Sequence, residues 1–309
     1  MNIKRIYNNW KYHYKNFGLR ASLSLVIYPS LVMRNGAQRV QIIHVKRLQY
    51  LKRLLFKVIE EHKNDAMPTS TINDVTIYVC WFQGEEAMPP IVKACYKSIL
   101  QHANGRKVIL ITMDNYKNYA DIPHFIEDKV TCGKISLTHF SDILRNALLY
   151  QNGGIWIDAT IYLTEDLHIE QLPFFSVKRK ENWDRINECP FRVSTYLMAG
   201  VKGNPLNRFV YDGFISYYKQ KDIILDYFLV DYIICLGYDN VATITNMIDR
   251  VPYTKGVVFQ LCEYLTQKHN SHDIMELLHS TYIHKLSYKC LNDTYPKGSV
   301  YDYIITNKF

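Results

Sequence analysis

The sequence contains no Cys-x-x-Cys pair, and its seven cysteines, Cys80, Cys95, Cys132, Cys189, Cys235, Cys262 and Cys290, follow no regular spacing. That argues against a zinc knuckle and a disulfide framework, and fits reduced thiols in a cytoplasmic protein. Long apolar runs are also missing. The longest, Leu19 to Met33, spans about 15 residues and contains Pro29, whereas a membrane-spanning helix needs roughly 20. Met1 to Arg20 mixes basic residues with Trp10, Tyr12, Tyr14 and Phe17 and lacks the uninterrupted apolar centre of a signal peptide. A cytoplasmic chain without a transmembrane segment is therefore expected. There is no Gly-x-x-x-x-Gly-Lys loop, no Gly-x-Gly-x-x-Gly, no Gly-x-Ser-x-Gly and no His-Glu-x-x-His, which removes P-loop ATPase, dinucleotide oxidoreductase, serine hydrolase and zincin readings.

Acidic residues are scarce in one place only. Residues 1 to 63 hold 13 Lys or Arg against Glu60 and Glu61, while the remainder holds 24 against 27, so the net charge of +8 arises in the N-terminal fifth. A basic segment interleaved with aromatics suits anionic lipid headgroups, nucleic acid, or an acidic face of its own protein. Peripheral contact with an anionic membrane surface on the inner face of the cell membrane and an ordinary solvated helical face are the favoured readings, and nucleic acid is not expected as a partner.

What the chain does have is 309 residues that are 48% hydrophobic, enough for a large core in one extended or two merged domains. Gln38 to His62 places Val40, Ile43, Val45, Leu48, Leu51, Leu54, Leu55 and Val58 at near-helical spacing and predicts an amphipathic helix. Lys63 to Asn73 reads as a linker and suggests a boundary between a basic helical extension, residues 1–73, and a catalytic domain, residues 74–309. From Val75 short apolar strands alternate with helices: strands at Val75 to Trp81, Val108 to Thr112 and Ile155 to Ile157, helices at Pro90 to Gln101 and His139 to Gln151. This order predicts an α/β fold with a mostly parallel sheet, whose ligands sit at the carboxyl ends of the strands. Further helices are expected at Leu206 to Lys219, Asp222 to Leu236 and Asp273 to His279.

The segment from Ser141 to Thr160 carries the chemistry. Asp142 and Arg145 are three apart and share one helical face. Gly153-Gly154 ends the helix, because glycine takes the positive φ a helix C-terminus requires, and the chain then enters a strand with Asp158 at its tip. Two acids and a guanidinium would converge there. That set suits a nucleoside diphosphate sugar, whose ribose hydroxyls want a carboxylate and whose phosphates want cationic charge. Asp158 could also hold a divalent metal; read singly, the same residues could be a helix-surface ion pair and a turn cap. His269, His272 and Asp273 read as a polar turn and helix cap, and His279 and His284 stay weak candidates for the diphosphate.

These residues resemble the capsular polysaccharide synthesis proteins, relatives of retaining glycosyltransferases and of the large clostridial toxin glucosyltransferases. The resemblance rests on Trp81-Phe82-Gln83-Gly84, Ser141-Asp142-Ile143-Leu144-Arg145 and Gly153-Gly154-Ile155-Trp156-Ile157-Asp158, and reaches more loosely to Asp226 through Tyr232 and to His284-Lys285-Leu286. It implies a GT-A fold of Rossmann-like character and transfer of a hexose or N-acetylhexosamine, with retention, from a nucleotide-sugar donor, expected to be a UDP-sugar, to a lipid-linked glycan acceptor. Trp81, Gln83, Gly84, Asp142, Arg145, Gly154, Trp156, Asp158 and Lys285 would line the donor site. Asp158 would match the first acid of an Asp-x-Asp motif, with Thr160 at the second, so Mn2+ or Mg2+ is the implied cofactor with Asp158 and Thr160 as its ligands. Arg145 and Asp158 would serve the chemistry, and Asp226 and Asp231 are candidates for a carboxylate behind the sugar. The rival reading is a nucleotide-binding scaffold of the same fold that has lost turnover.

Overall fold

The structure is a computed structural model that describes residues 3–28, 36–73, 75–179, 193–254, 257–289 and 295–306. At its centre lies a five-stranded sheet formed by β1 (Ile77–Cys80), β2 (Val108–Ile111), β3 (Gly154–Asp158), β5 (Phe174–Ser176) and β7 (Leu197–Gly200), in the order β2-β1-β3-β7-β5. β1 pairs in parallel with β2 and β3, whereas β7 runs antiparallel between β3 and β5, so four strands point one way and β7 opposes them. The sheet is mostly parallel, as expected. Its central strands are buried on both faces, which is why Ile77, Val79, Ile155, Ile157 and Leu197 form continuous apolar runs. Two short ladders stand beside it: β4 (Ile161–Leu163) antiparallel to β9 (Ile283–Lys285), and β6 (Lys178–Arg179) parallel to β8 (Tyr253–Thr254).

The helix that precedes β3, Leu137–Asn152, begins at Ser136, whose Oγ accepts a hydrogen bond from the His139 N–H. It ends at Gly153 with φ 71°. Ile143, Leu144, Ala147 and Leu148 are fully buried and pack against the helix Pro205–Gln220. A buried amide network fixes the two helices: Asn207 Nδ2 donates to Asn146 Oδ1 at 3.1 Å, and Asn146 Nδ2 donates to the Asp142 carbonyl at 2.8 Å. This network holds the turn that carries Asp142 and Arg145 in fixed register with the sheet.

The N-terminal arm is mostly helical, with Ile3–Phe17, Leu19–Ser22, the wider-wound Leu23–Ile27, Gly36–Leu54 and Phe56–His62. Where one helix is predicted from Gln38 to His62, the structure has two, divided at Leu55, whose φ of −102° and ψ of 15° leave the helical region. No residue in the sequence marks that break. The linker Lys63–Asn73 has no helix or strand, as expected, yet it separates charge rather than cores. Leu51 and Leu55 are fully buried in the same apolar cluster as Ile77 and Leu144, and the Ile72 N–H donates to the Leu172 carbonyl at 2.9 Å. Asp222 to Leu236 is not one helix either. The Asp226 carboxylate accepts from the Phe228 N–H at 3.0 Å in an Asx turn, and the helix starts only at Leu229, running to Asn240.

Gly154 opens β3 at its amino end, four residues and about 13 Å of strand from Asp158. It adopts φ +125°, and a Cβ there would lie 2.7 Å from Tyr78 Cε2 and 2.8 Å from the Thr76 carbonyl oxygen. Its expected role at the donor is therefore corrected: this glycine lets β3 pass close against β1. Gly154→Ala is expected to destabilise the chain on the order of 3 kcal/mol through combined strain and overpacking. Urea denaturation checks it, and wild-type stability would show that the close approach is not required.

Candidate active site

Cys80 and Asp158 face each other at the carboxyl ends of β1 and β3, and Trp81 continues from β1 with its N–H donating to the Ile111 carbonyl. Asp158 is the centre of the site. Its Oδ1 accepts from Trp156 Nε1 at 2.9 Å and from Arg145 Nη2 at 3.2 Å, and its Oδ2 accepts from Lys285 Nζ at 2.7 Å. The side chain keeps 26% exposure, so solvent reaches the carboxylate at the strand end. Burial would push its carboxyl up, but Lys285 and then Arg145 oppose this, joined by hydrogen bonds from Lys285 and Trp156. The result lies below the ordinary aspartate value, and the group is a firm anion.

Arg145 Nη2 also approaches Asp142 Oδ1 at 3.4 Å, so one guanidinium nitrogen spans both acids, as the three-residue spacing on the helix predicts. The guanidinium lies 4.9 Å from the Trp156 ring centre, and its buried Nε and Nη1 have no protein partner. Buried donors without acceptors are costly, and an anionic ligand would satisfy them. Lys285 arrives from the other end of the chain. Ile161 pairs with Lys285 across the β4–β9 ladder, the Leu286 N–H donates to the Thr160 carbonyl, and Lys285 Nζ lies 2.6 Å from Thr160 Oγ1. Tyr196 lies beneath the ammonium at 5.7 Å, and its carbonyl accepts from the Asp158 N–H. Trp81 meets Tyr288 edge-on at 5.4 Å, which brings the segment after Lys285 over the end of β1. Two cations flank a carboxylate at a strand tip, a placement that suits an anionic ligand such as a diphosphate.

Residues 32–304 match the model of the family described as capsular polysaccharide synthesis protein. The chain belongs to that family. A search of curated proteins gave no match. Among solved structures, the PaToxG glycosyltransferase is similar at 13% identity and a TM-score of 0.41, over 68% of this chain and 84% of that one, a likeness too loose to carry an argument. The match to the capsular family begins inside the basic arm, in keeping with the core the arm shares with the sheet. Membership in this family, with the site's chemistry, supports glycosyl transfer.

In this family member the expected residues divide into three groups. Asp142, Arg145, Asp158, Thr160 and Lys285 come together, with Trp81 at the same edge and Gln83 and Gly84 on the turn beyond it. Trp156 is a correction in kind: it is buried and serves as a floor under Arg145 and a hydrogen-bond donor to Asp158, not as a surface for the donor. Asp226 is a correction in place. Its Oδ2 lies 2.8 Å from Arg47 Nη2 of the arm, so its carboxylate is engaged in tying the arm down. His284 is fully buried beside Lys285, and burial lowers its pKa to about 4, which leaves it neutral and shielded from a ligand. His279 is exposed on its helix.

The sequence reading missed His139, whose Nδ1 lies 3.5 Å from Asp142 Oδ2 under the rings of Phe214 and Tyr218. Its place one turn before Asp142 was the available signal. Tyr196 and Tyr288 carried none.

Asp231 sits in the first turn of the helix Leu229–Asn240 within the field of Asp142 and Arg145. Burial, followed by the Asp142 charge, raises its carboxyl to about 7 against the pull of Arg145. A raised carboxyl binds a proton in the folded state that it lacks unfolded, so its effect on stability is favourable at low pH and is lost as pH rises from about 4 to 7. Asp231→Asn should therefore gain more stability relative to wild type at pH 8 than at pH 5, the two gains differing on the order of 2 kcal/mol. Denaturant titrations at both pH values decide it; an equal difference at both would mean that the carboxyl is ionised throughout.

Proposed function

We propose that this chain is a retaining glycosyltransferase that moves a hexose or N-acetylhexosamine from a UDP-sugar to a lipid-linked capsular or surface glycan. The observation that carries the reading is the strand-tip Asp158 held between Arg145 and Lys285, with the part-exposed Lys285 ammonium keeping one donor for an anion. Asp158 would accept from ribose or sugar hydroxyls, and Arg145 and Lys285 would face the diphosphate. Trp81, at the end of β1, would border the nucleotide. Asp231, whose carboxyl is raised to about 7, is only partly ionised near neutral pH and so a weaker nucleophile than an ordinary aspartate, which favours attack by the acceptor on the face the nucleotide leaves over a covalent intermediate on a carboxylate.

A thermal-shift screen of UDP, GDP, CMP and their sugars tests the donor. A ligand at about 100 times its Kd stabilises the native state by about 2.7 kcal/mol. UDP-sugars are expected to raise the Tm of wild type, and Asp158→Asn is expected to lose that response and turnover together. Stabilisation by a nucleotide without turnover would favour the scaffold reading, and stabilisation by none would remove the donor site.

The arm suits the acceptor's location. Along the helix Ile3–Phe17, Lys4, Tyr7, Lys11, Tyr14 and Lys15 are exposed, and Trp10 stacks on Tyr14 at 5.4 Å. No helix among the described residues is long and apolar enough to cross a membrane. An aromatic and basic face of this kind would rest on anionic headgroups, each lysine contributing about 1 kcal/mol. Because the arm shares the core, charge reversal tests this better than deletion. Lys4, Lys11 and Lys15 changed together to Glu should weaken cosedimentation with phosphatidylserine vesicles more than tenfold, at about 1 kcal/mol per lysine, and leave the nucleotide thermal shift intact. Unchanged sedimentation would remove the membrane from the proposal.

A further inference from the structure

The implied cofactor is a divalent metal between Asp158 and Thr160, and the donor set there does not fit one. Every oxygen that would reach the ion already has a donor. Asp158 Oδ2 and Thr160 Oγ1 share the Lys285 ammonium at 2.7 and 2.6 Å, and Asp158 Oδ1 is taken by Trp156 and Arg145. A magnesium ion would need oxygen ligands at about 2.0 Å in octahedral array, and the ammonium stands in the space that such an ion would occupy. Among the described residues, no group of three or more His, Cys, Asp or Glu side chains could complete a metal shell.

The lysine is also held by more than its tip. Its N–H donates to the Val258 carbonyl at 2.8 Å, Leu286 donates to Thr160, and the β4–β9 register sets Lys285 opposite Ile161. Its side chain is 20% exposed, and the carboxylate and the hydroxyl use two of its three N–H donors. Thr160 belongs to the same arrangement. A second carboxylate would add a charge that a divalent ion could balance, whereas one carboxylate and a hydroxyl already face the Lys285 ammonium, with Arg145 on the other carboxylate oxygen.

We infer that donor binding and transfer at this site are independent of divalent metal, and that the Lys285 ammonium supplies the charge a metal ion would otherwise bring. The inference rests on the donor-site reading above. In the transfer, the bond between the anomeric carbon and the diphosphate oxygen breaks and its electron pair leaves with the nucleoside diphosphate. The acceptor hydroxyl oxygen bonds to the anomeric carbon, and its proton passes to the departing phosphate. Lys285, through its third N–H, meets the charge that grows on that diphosphate, and Arg145 adds its positive charge from behind Asp158.

Calorimetric titration of UDP, GDP and CDP into the full chain, in EDTA and then in Mn2+, tests this without turnover. The bound nucleotide is expected to show the same affinity in both, within about twofold, and Lys285→Ala is expected to weaken it about tenfold or more, the worth of a charge-assisted hydrogen bond. Lys285→Arg should keep part of the affinity, and the Tm of each ligand-free variant reports folding. Binding by wild type only with Mn2+ overturns metal independence and leaves the donor site standing. Metal-free binding that Lys285→Ala does not weaken overturns the role of the lysine. No binding of any nucleotide in either condition sinks the donor reading, and the inference with it.

Discussion

The arrangement of the site depends on one carboxylate shared by two cations. Asp158 is the shared counter-ion of Arg145 and Lys285, and without it two positive charges would face each other at a half-closed strand end, one of them buried. Breaking such a pair costs more than forming it contributes, because the stranded charge stays out of water. Three elements therefore have to arrive together. The strand β3 delivers the acid at its tip, the helix before it delivers the guanidinium, and the β4–β9 ladder delivers the ammonium from 127 residues further along. Gly153 is the joint between the first two, reversing the chain in the space where a Cβ would meet the Lys202 amide nitrogen at 2.6 Å.

The arm enters the same chain of dependence from outside. Arg47 pairs with Asp226 and donates to the Tyr232 hydroxyl at 3.0 Å, and His44 lies 2.6 Å from that hydroxyl. Asp226 and Tyr232 bracket the start of the helix that carries Asp231, so the arm steadies the element that brings a raised carboxyl toward Asp142 and Arg145. The basic residues of the arm thus separate into two uses. Arg47 is spent on an acid of its own protein, one of the three partners the charge pattern allows, while Lys4, Lys11 and Lys15 remain on the exposed face.

The local part of this design is legible in the sequence, since it is written within one helix and one strand. A spacing of three puts Asp142 and Arg145 on one face, a glycine pair stops the helix, and an apolar run carries Asp158 to the edge. Contacts set by tertiary pairing are not legible in that way. Nothing in the neighbourhood of Asp226 says that its partner is Arg47, 179 residues earlier. Turn chemistry misled as well: Asp222 pairs with Lys129 and Lys134, and Asp226 closes an Asx turn, so a stretch that reads as helix from Asp222 becomes one only after both acids are engaged elsewhere. Gly154 and Trp156 share the motif with Asp158, and only the close approach of β1 and the packing under Arg145 distinguish support from contact.

The two cations are not equivalent, and their difference shows how the site divides its work. Arg145 is planar and buried: it lies on Trp156, reaches two acids through one nitrogen, and keeps Nε and Nη1 out of solvent. Its direction is set by the Trp156 ring and the two acids before any ligand comes. Lys285 is a compact charge with three tetrahedral donors, anchored by a carboxylate and a hydroxyl that leave the third donor uncommitted. A charge that is part of the polypeptide is present in every copy, independent of the supply of an ion, but it can be placed only where backbone pairing holds it. The β4–β9 ladder provides that constraint, and Thr160, next to β4 and in reach of the ammonium, is where the strand-tip motif and the C-terminal lysine meet.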